Sequence, residues 1–351
     1  TIVLRADNTG NDTGTVSIAS GKEITFTQGG KVLIYYNPLG TFSKIVNGTV
    51  INTKDYTSPT DFSSYIKAWD KYSYILVNDV FQLQAIDEVS GNYALGRNID
   101  ANITSTWNKG TGFQPIRSFQ GNFDGNSYFI DGLYVNNGEP YAGLFDKLNS
   151  SSPSNRIGIS NLGLKNVNVS GLYSVGALAG ITSNVTIDNV YVTGTVNGSS
   201  SGIGGLVGET YGTYGRISNS YNEANVTGLD NVGGLVGNNN VDVISSFNTG
   251  VVSGRNSIGG LIGTQNDTEI SRSYSTGTVF GGSFVGGLVG TSKRFSKITG
   301  SYSTGNVKGS GSADFHVVNG SGGLIGSNNG SIKDSYSTGD VEGHTDVGGL
   351  V

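Results

Sequence analysis

The second half of the chain is built from a Gly-rich repeat, which limits the possible folds more than any other feature. The pentad GGLVG or GGLIG begins at Gly204, Gly233, Gly259, Gly286 and Gly322, with a degenerate copy at Gly176 and a truncated copy at Gly348. Successive copies begin 28, 29, 26, 27, 36 and 26 residues apart. One aromatic ring keeps the same spacing, at Tyr191, Tyr221, Phe247, Tyr274, Tyr302 and Tyr336. A repeat of this length is one structural unit that recurs along the chain.

The repeat length predicts an all-β fold, a parallel β-helix of about 27 residues per coil. Three strands of about five residues and three turns use up that length. One coil cannot bury its own inner face, so coils stack about 4.8 Å apart in parallel ladders. Equivalent side chains then lie above one another, and we expect the aromatic position to form a stack in the core. The alternatives, leucine-rich repeats and propellers, require L-x-x-L-x-L or Trp-Asp signatures that the repeat lacks.

Composition agrees with this fold and excludes several classes of function. The chain has 57 Gly in 351 residues, and each Gly in a helix interior costs about 1 kcal/mol, which argues against a helical protein. A net charge of −5 gives no basic surface for nucleic acid. The absence of Cys excludes thiol catalysis, Cys-ligated zinc and disulfides. No apolar run approaches the roughly 18 residues of a membrane span, and no cofactor is predicted.

The first half is less regular, but we expect one continuous solenoid. The predicted parts are irregular coils over 1–75, coils with a short helix and extended loops over 76–150, and repeat coils over 151–351. Asp79 is predicted to cap the helix, with Val80, Leu83 and Ile86 on one face. The 36-residue interval predicts an inserted loop of roughly nine residues within 308–321. Because the chain starts at Thr1 and ends inside a motif, we expect it to be cut from a longer polypeptide.

Several motifs resemble a known group of bacterial surface proteins. The pentads resemble the GLUG motif. The runs Tyr93–Ala101, Gly112–Ile116 and Phe119–Gly125 resemble the segment that precedes GLUG repeats in large adhesins. Further matches are Leu4–Asp7, Gly14–Val16 and Ile34–Pro38. Together they resemble two-partner-secretion adhesins of the filamentous-haemagglutinin class, in particular the receptor-binding segment of the Haemophilus high-molecular-weight adhesins.

The resemblance implies a right-handed β-helical fibre at the bacterial surface, exported by an outer-membrane translocator. It implies binding of sialylated or sulfated host glycans, and modification by a cytoplasmic N-glycosyltransferase. Acceptor sequons stand at Asn11, Asn47, Asn102, Asn149, Asn168, Asn184, Asn197, Asn225, Asn266, Asn319 and Asn329. Asn is also favoured in solenoid turns without any modification. We therefore predict a non-enzymatic adhesin segment, with a structural stalk and a polysaccharide-degrading enzyme as alternatives.

Candidate glycan-binding residues are the aromatic and basic side chains outside the repeat pattern. An acidic sugar favours Arg and Lys together with an aromatic face. The densest cluster is Lys293, Arg294, Phe295 and Lys297, one coil from Phe315 and His316 in the inserted loop; Trp69 and Trp107 are further candidates. The alternatives are a solvated turn for the cluster and packing for the two Trp side chains. The aromatic ladder is a weaker candidate for a sugar platform, since a core position fits it better.

Catalysis and metal binding are not favoured. A polysaccharide-cleaving site needs converging carboxylates. The candidates are Asp87 with Glu88, Asp100, and Asp124 with Asp131, and none recurs in register across the coils. His316 and His344 lie about one coil apart, but two His side chains without further ligands make a poor metal site. We predict no catalytic residues and no metal ligands.

Overall fold

A parallel β-helix forms the protein, as predicted. The computed structural model describes residues 1–7, 9–26, 29–56, 60–86, 89–150, 157–310 and 320–351. In the second half, each coil contributes strands to three parallel sheets in turn: a long sheet, a six-stranded sheet and a seven-stranded sheet. The long sheet joins 25 described strands and extends from the first strand of the chain to Val341–Glu342. The boundaries at 75 and 150 stay a prediction.

The strands fall into five sheets. The long sheet contains Ile2–Arg5, Lys31–Tyr36, Asp70–Val77, Tyr93–Leu95, Ile99–Asp100, Phe123–Asp124, Phe129–Asp131, Tyr134–Asn136, Ile157–Gly171, Val185–Gly198, Arg216–Ser218, Tyr221–Asn222, Asn225–Thr227, Asp242–Ile244, Phe247–Asn248, Val252–Ser253, Glu269–Ser271, Tyr274–Ser275, Val279–Gly281, Lys297–Thr299, Tyr302–Ser303, Val307–Gly309, Ser331–Lys333, Tyr336–Ser337 and Val341–Glu342. The seven-stranded sheet contains Phe145–Asn149, Ala179–Ser183, Val207–Tyr211, Val236–Asn239, Ile262–Gln265, Val289–Ser292 and Ile325–Asn328. The six-stranded sheet contains Ser201–Gly204, Asp230–Gly233, Asn256–Gly259, Ser283–Gly286, Ser321–Gly322 and Val347–Gly348. Ile24–Thr25 pairs with Ile66–Lys67, and Thr41–Val46 forms an antiparallel hairpin with Thr49–Lys54.

Three short helical segments interrupt the first half: Ser63–Tyr65, Val80–Gln84 and Asn102–Gly110. The predicted cap is confirmed, because the Asp79 carboxylate accepts a hydrogen bond from the Gln82 backbone N–H at 2.8 Å. Val80 and Leu83 are buried on one face of the helix, as predicted, whereas Ile86 is buried but lies beyond the end of the helix at Gln84. Burial raises the pKa of Asp79, and the nearby Asp12 carboxylate raises it further.

Coils align in the register that the repeat predicts. Ile217 pairs with Val243, Val243 with Ile270, and Ile270 with Ile298, and all four side chains are buried. The core is thus a set of aliphatic ladders, one residue per coil. After Gly309, the pairing resumes only at Ser321, so the extra residues of the long interval fall between them. Residues 311–319 of this insertion lie outside the described ranges.

The glycines of the pentad are needed for close approach. A Cβ on Gly234 would meet the carbonyl oxygen of Gly260 and the side chain of Asn248. A Cβ on Gly237 would meet the backbone of the preceding coil at Gly202 and Ile203. These glycines have no positive φ, so space and not backbone conformation selects Gly here. The pentad is thus the point where neighbouring backbones and a buried polar side chain converge.

The aromatic ladder exists, but its predicted place in the core is wrong. Its six rings stack with centroids 4.7 to 5.2 Å apart and planes within 9° of parallel. They lie on the outer face of the long sheet, where five are half-buried and Tyr336 is 51% exposed. The reason is a left-handed residue two positions before each ring: Asn189, Asn219, Ser245, Arg272, Gly300 and Asp334. That residue breaks the two-residue alternation, so the ring and the aliphatic residue four positions earlier face opposite ways.

Buried polar ladders close the bend beside the rings. Ser246 Oγ donates to the Ile244 carbonyl and accepts from the Ser220 backbone N–H of the adjoining coil. Asn248 follows the ring, donates to the Gly250 carbonyl at 2.8 Å and accepts from the Gly250 N–H at 3.2 Å. In a later coil Ser303 takes the place of Asn248, and its buried hydroxyl has no hydrogen-bond partner among the described residues.

This difference predicts that Ser303→Asn stabilises the fold. The new amide has the same two backbone partners at Gly305 that Asn248 has at Gly250, so we expect about 1 kcal/mol of added free energy of unfolding. Urea denaturation followed by circular dichroism measures it. The exposed neighbour Thr304→Asn is the control and should change little. Equal or lower stability of Ser303→Asn relative to the unmodified chain would refute the assignment.

Candidate functional site

The predicted basic cluster is an exposed turn that connects the seven-stranded sheet to the long sheet. We call residues 293–297, the four turn residues and the first residue of the strand Lys297–Thr299, the basic-aromatic turn. Its backbone is fixed to the previous coil, because the Lys293 N–H donates to the Gln265 carbonyl and the Lys297 N–H donates to the Thr268 carbonyl. Ser296 is buried and accepts from the Asp267 N–H through its hydroxyl. A rigid base therefore carries the exposed side chains.

Those side chains form a compact cationic and aromatic surface. Lys293, Arg294 and Lys297 are exposed, and Phe295 is 68% exposed. The guanidinium carbon of Arg294 lies 4.8 Å from the centre of the Phe295 ring, a cation–π contact. The structure thus brings together four of the residues that the sequence singled out. Arg and Lys can bind a carboxylate or sulfate, and an aromatic face can pack on the apolar face of a pyranose ring.

The other predicted binding residues fall into three groups: those outside the described residues, one that is exposed and one that is buried. Phe315 and His316 lie outside the described residues. Trp69 is 87% exposed beside Asp70 and Lys71, and its role in binding stays a prediction. Trp107 is only 2% exposed and packs against Phe81 with ring centroids 5.3 Å apart. The prediction of Trp107 as a binding residue is therefore wrong, since its indole is part of the core.

The aromatic ladder offers edges and not faces to a ligand. Inside the stack both faces of each ring are covered by neighbours at about 5 Å, as for Phe247 between Tyr221 and Tyr274. A pyranose ring packs on an aromatic face, so the ladder is not a sugar platform. Partial burial raises the pKa of Tyr221, and the Glu223 carboxylate adds to the effect. The ladder joins coils on the outside of the sheet.

The candidate carboxylates do not converge. Asp124 accepts hydrogen bonds from Tyr35 and Asn161, whereas Asp131 accepts one from Asn166. Hydrogen bonds from Asn102 lower the pKa of the exposed Asp100. Asp87 and Glu88 lie outside the described residues, as does His316, and His344 is exposed. Within the part of the chain that the structure describes, no group of three or more His, Cys, Asp or Glu side chains is placed to hold a metal ion.

The predicted acceptor sequons differ in accessibility. Asn11, Asn47, Asn102, Asn168, Asn197, Asn225 and Asn329 are exposed, Asn149, Asn184 and Asn266 are half-buried, and Asn319 lies outside the described residues. Asn266 already donates to Asn238 Oδ1 at 2.7 Å. Asn168 and Asn225 lie on the outer face of strands, with Val169 and Val226 pointing inward. Modification of any of these residues stays a prediction. In the described ranges, no helix has the length and hydropathy of a membrane span.

Sequence reasoning did not single out the exposed aromatic residues on the same edge as the basic-aromatic turn. Tyr211 and Tyr214 are 43% and 47% exposed, three coils before that turn. Tyr211 donates a hydrogen bond to Glu209. The turn lengths carried this information. Four residues separate Val207–Tyr211 from Arg216–Ser218, whereas two residues separate Val236–Asn239 from Asp242–Ile244 in the following coil. Extra turn residues in a solenoid lie on the surface.

Comparisons with known proteins place two family models on the chain. A model described as the M26 IgA1-specific metallo-endopeptidase N-terminal region matches residues 37–194. The GLUG motif matches residues 199–227 and 318–342. The GLUG part of the predicted resemblance is therefore confirmed, and the resemblance to two-partner-secretion adhesins stays a prediction. The runs between Tyr93 and Gly125 that carried that resemblance fall inside the metallo-endopeptidase match.

Individual relatives are much longer proteins. Halomucin of Haloquadratum walsbyi is 38% identical over 148 residues, covering 38% of this chain and 2% of the relative. Immunoglobulin A1 protease of Streptococcus sanguinis is 35% identical over 167 residues, covering 44% of this chain and 8% of the relative. That of Streptococcus pneumoniae is 30% identical over 199 residues, covering 53% and 8%. The chain is similar to one segment of each.

One solved structure shares the fold. A crystal structure described as a candidate immunoglobulin A1 protease from Bacteroides ovatus superposes with a TM-score of 0.55 at 20% identity. The match covers 78% of this chain and 84% of that one. At this level of identity the likeness confirms the architecture alone.

Proposed function

We propose that the chain is a glycan-binding segment of a large cell-surface or secreted protein, and that it attaches the cell to acidic host glycans without catalysing a reaction. Its similarity to short segments of halomucin and immunoglobulin A1 proteases supports a place within a much larger exported chain. An outer-membrane translocator and a cytoplasmic N-glycosyltransferase are the partners expected for such a chain. The β-helix supplies a rigid support that holds loops in fixed positions along one edge.

The basic-aromatic turn is the observation that carries this proposal. Residues 293–297 combine three exposed cations with an exposed aromatic ring, which Arg294 contacts, on a backbone that is hydrogen-bonded to the previous coil. Binding of a ligand costs little conformational entropy at this surface, because the backbone of the turn is already fixed. Cations select a carboxylate or sulfate group, and the ring favours a pyranose over a free anion.

A second candidate function follows from the relatives that are named immunoglobulin A1 proteases. The chain could serve as a non-catalytic segment that supports a peptidase domain elsewhere in a longer polypeptide. Its 351 residues contain two His, 28 positions apart, and no H-E-x-x-H zinc motif. This candidate predicts that the isolated chain binds no glycan.

Replacing the three cations tests the proposal. In the variant Lys293→Ala, Arg294→Ala and Lys297→Ala, we expect attachment of the chain to epithelial cells to fall at least about tenfold, since the charge-assisted bonds to the acidic group are lost. Sialidase treatment of the cells should reduce the attachment of the unmodified chain to a similar degree. Flow cytometry of the labelled chain measures both.

A matched control removes cations from another surface. Lys22→Ala, Lys109→Ala and Arg117→Ala lowers the net charge by the same amount at exposed positions in the first half of the chain, away from the turn. Its attachment should stay within about twofold of the unmodified chain. Equal loss in both triple variants would indicate unspecific charge attraction, and no loss in either would rule out the basic-aromatic turn.

A further inference from the structure

Unequal turn lengths create a depression along the edge that carries the basic-aromatic turn. Four residues, 212–215, connect the sheets in one coil, and four residues, 293–296, do so three coils later. The two coils between them have shorter turns, 240–241 and 266–268. We call the depression between the two long turns the axial trough. The two long turns form the walls of the axial trough. They are three coils apart, which is about 14 Å at the ordinary spacing of stacked coils.

The floor of the axial trough is polar and fixed. A cavity of about 310 Å³ is lined there by Thr213, Asn240, Asn266 and Asp267, among others. Asn240 donates to the Thr210 carbonyl at 2.7 Å, and Asn266 donates to Asn238 Oδ1 at 2.7 Å, so both amides are held in one orientation. Amides and carboxylates set at fixed positions suit the hydroxyl groups of a sugar.

Each wall carries an exposed aromatic ring. Tyr214 is 47% exposed in the first wall, and Phe295 is 68% exposed in the second. Phe295 has φ +67°, in the left-handed region that a bulky side chain rarely adopts. Most other non-Gly residues with positive φ in the described ranges are Asn, Asp or Ser. Asn tolerates this conformation better than Phe does, and Tyr141 and Phe284 are the other aromatic residues with positive φ in the described ranges. A role of the exposed Phe295 ring in ligand binding would offset the strain.

The floor of the axial trough is acidic, whereas its second wall is basic. Asp242 and Asp267 line the floor, whereas Lys293 and Arg294 lie at the second wall. An acidic sugar would be repelled over the floor and attracted at the second wall. Neutral sugar units, which donate hydroxyl hydrogens to carboxylates, suit the floor.

We propose that the axial trough binds an acidic oligosaccharide of about three units parallel to the solenoid axis, with the acidic unit at Phe295 and Arg294 and a neutral unit at Tyr214. Each pyranose unit spans about one coil spacing, so three units fill the distance between the walls. This inference rests on the proposed function, because it names the ligand class and subsites of the same surface.

Titration calorimetry with three probes tests the inference: free sialic acid, the trisaccharide sialyllactose and a sialylated pentasaccharide. Sialyllactose should bind at least about tenfold more tightly than sialic acid, and the pentasaccharide no more than about twofold more tightly than sialyllactose. Tyr214→Ala should lose the advantage of the trisaccharide and keep the affinity for free sialic acid. An equal effect of Tyr214→Ala on both probes would overturn the inference.

The variant Phe295→Asn separates binding from folding. Asn tolerates positive φ, so we expect an unchanged or higher Tm together with at least about tenfold weaker binding of sialyllactose. The control is Arg272→Asn, which also places Asn at a residue with positive φ (+50°) but lies on the long sheet. It should leave the binding of sialyllactose unchanged. Binding of Phe295→Asn within twofold of the unmodified chain would overturn the inference.

The inference and the proposed function fail in different ways. If the unmodified chain binds none of the three probes but binds another acidic glycan on an array, the trough assignment is wrong and the proposed function stands. If it binds no glycan at all, both are wrong.

Discussion

Gly260→Ala should unfold the repeat region at much lower denaturant than the unmodified chain. A Cβ at this second glycine of the pentad would overlap the carbonyl oxygen of Gly287 and the hydroxyl of Ser275. The carbonyl is backbone in a hydrogen-bonded coil and cannot move away, and the fully buried Ser275 also places its own Cβ 2.9 Å from the added carbon. We expect a loss of at least about 3 kcal/mol in the free energy of unfolding.

Gly349→Ala is the matched control for this change. Gly349 occupies the same position in the truncated pentad, where a Cβ would have no atom within 4 Å. Its urea midpoint should therefore equal that of the unmodified chain. If Gly260→Ala and Gly349→Ala unfold at the same urea concentration, the close approach of neighbouring backbones is not the reason for Gly in the motif.

Trp107→Ala should cost about 3 to 5 kcal/mol, because a large, fully buried side chain leaves a cavity between the helical segment and Phe81. Trp69→Ala, at an 87% exposed position, should change stability by no more than about 0.5 kcal/mol. Urea denaturation of the two variants measures the difference. Similar losses in both would contradict the placement of Trp107 in the core.

The period of the repeat was sufficient to predict the β-helical coil, because stacked coils carry similar residues at equivalent positions. Pairs such as Ile270 with Ile298 therefore appear in the register that the spacing implies. The side on which the aromatic rings lie was not predictable from alternation alone. A single left-handed residue such as Asn219 reverses the alternation, and Asn, Ser, Arg, Gly and Asp all occur at that position.

The binding surface was predictable only in part. The basic-aromatic turn is a local sequence cluster, so its exposure follows from charge. Tyr214 faces this turn across a trough only because the two intervening turns are short, and their length depends on exact strand ends. Trp69 and Trp107 lie outside the repeat, and no periodic pattern tells which of them is buried. The similarity to the immunoglobulin A1 protease region was likewise not anticipated from the motifs.

The central claim is that this chain itself recognises acidic glycans, and a glycan array probed with the chain made without glycosylation tests it most directly. We expect binding to sialylated or sulfated glycans and little binding to their neutral counterparts. The same array should lose these signals for the Lys293, Arg294 and Lys297 triple variant. Absence of any bound glycan, or equal binding to acidic and neutral forms, would contradict the account and favour a purely structural segment.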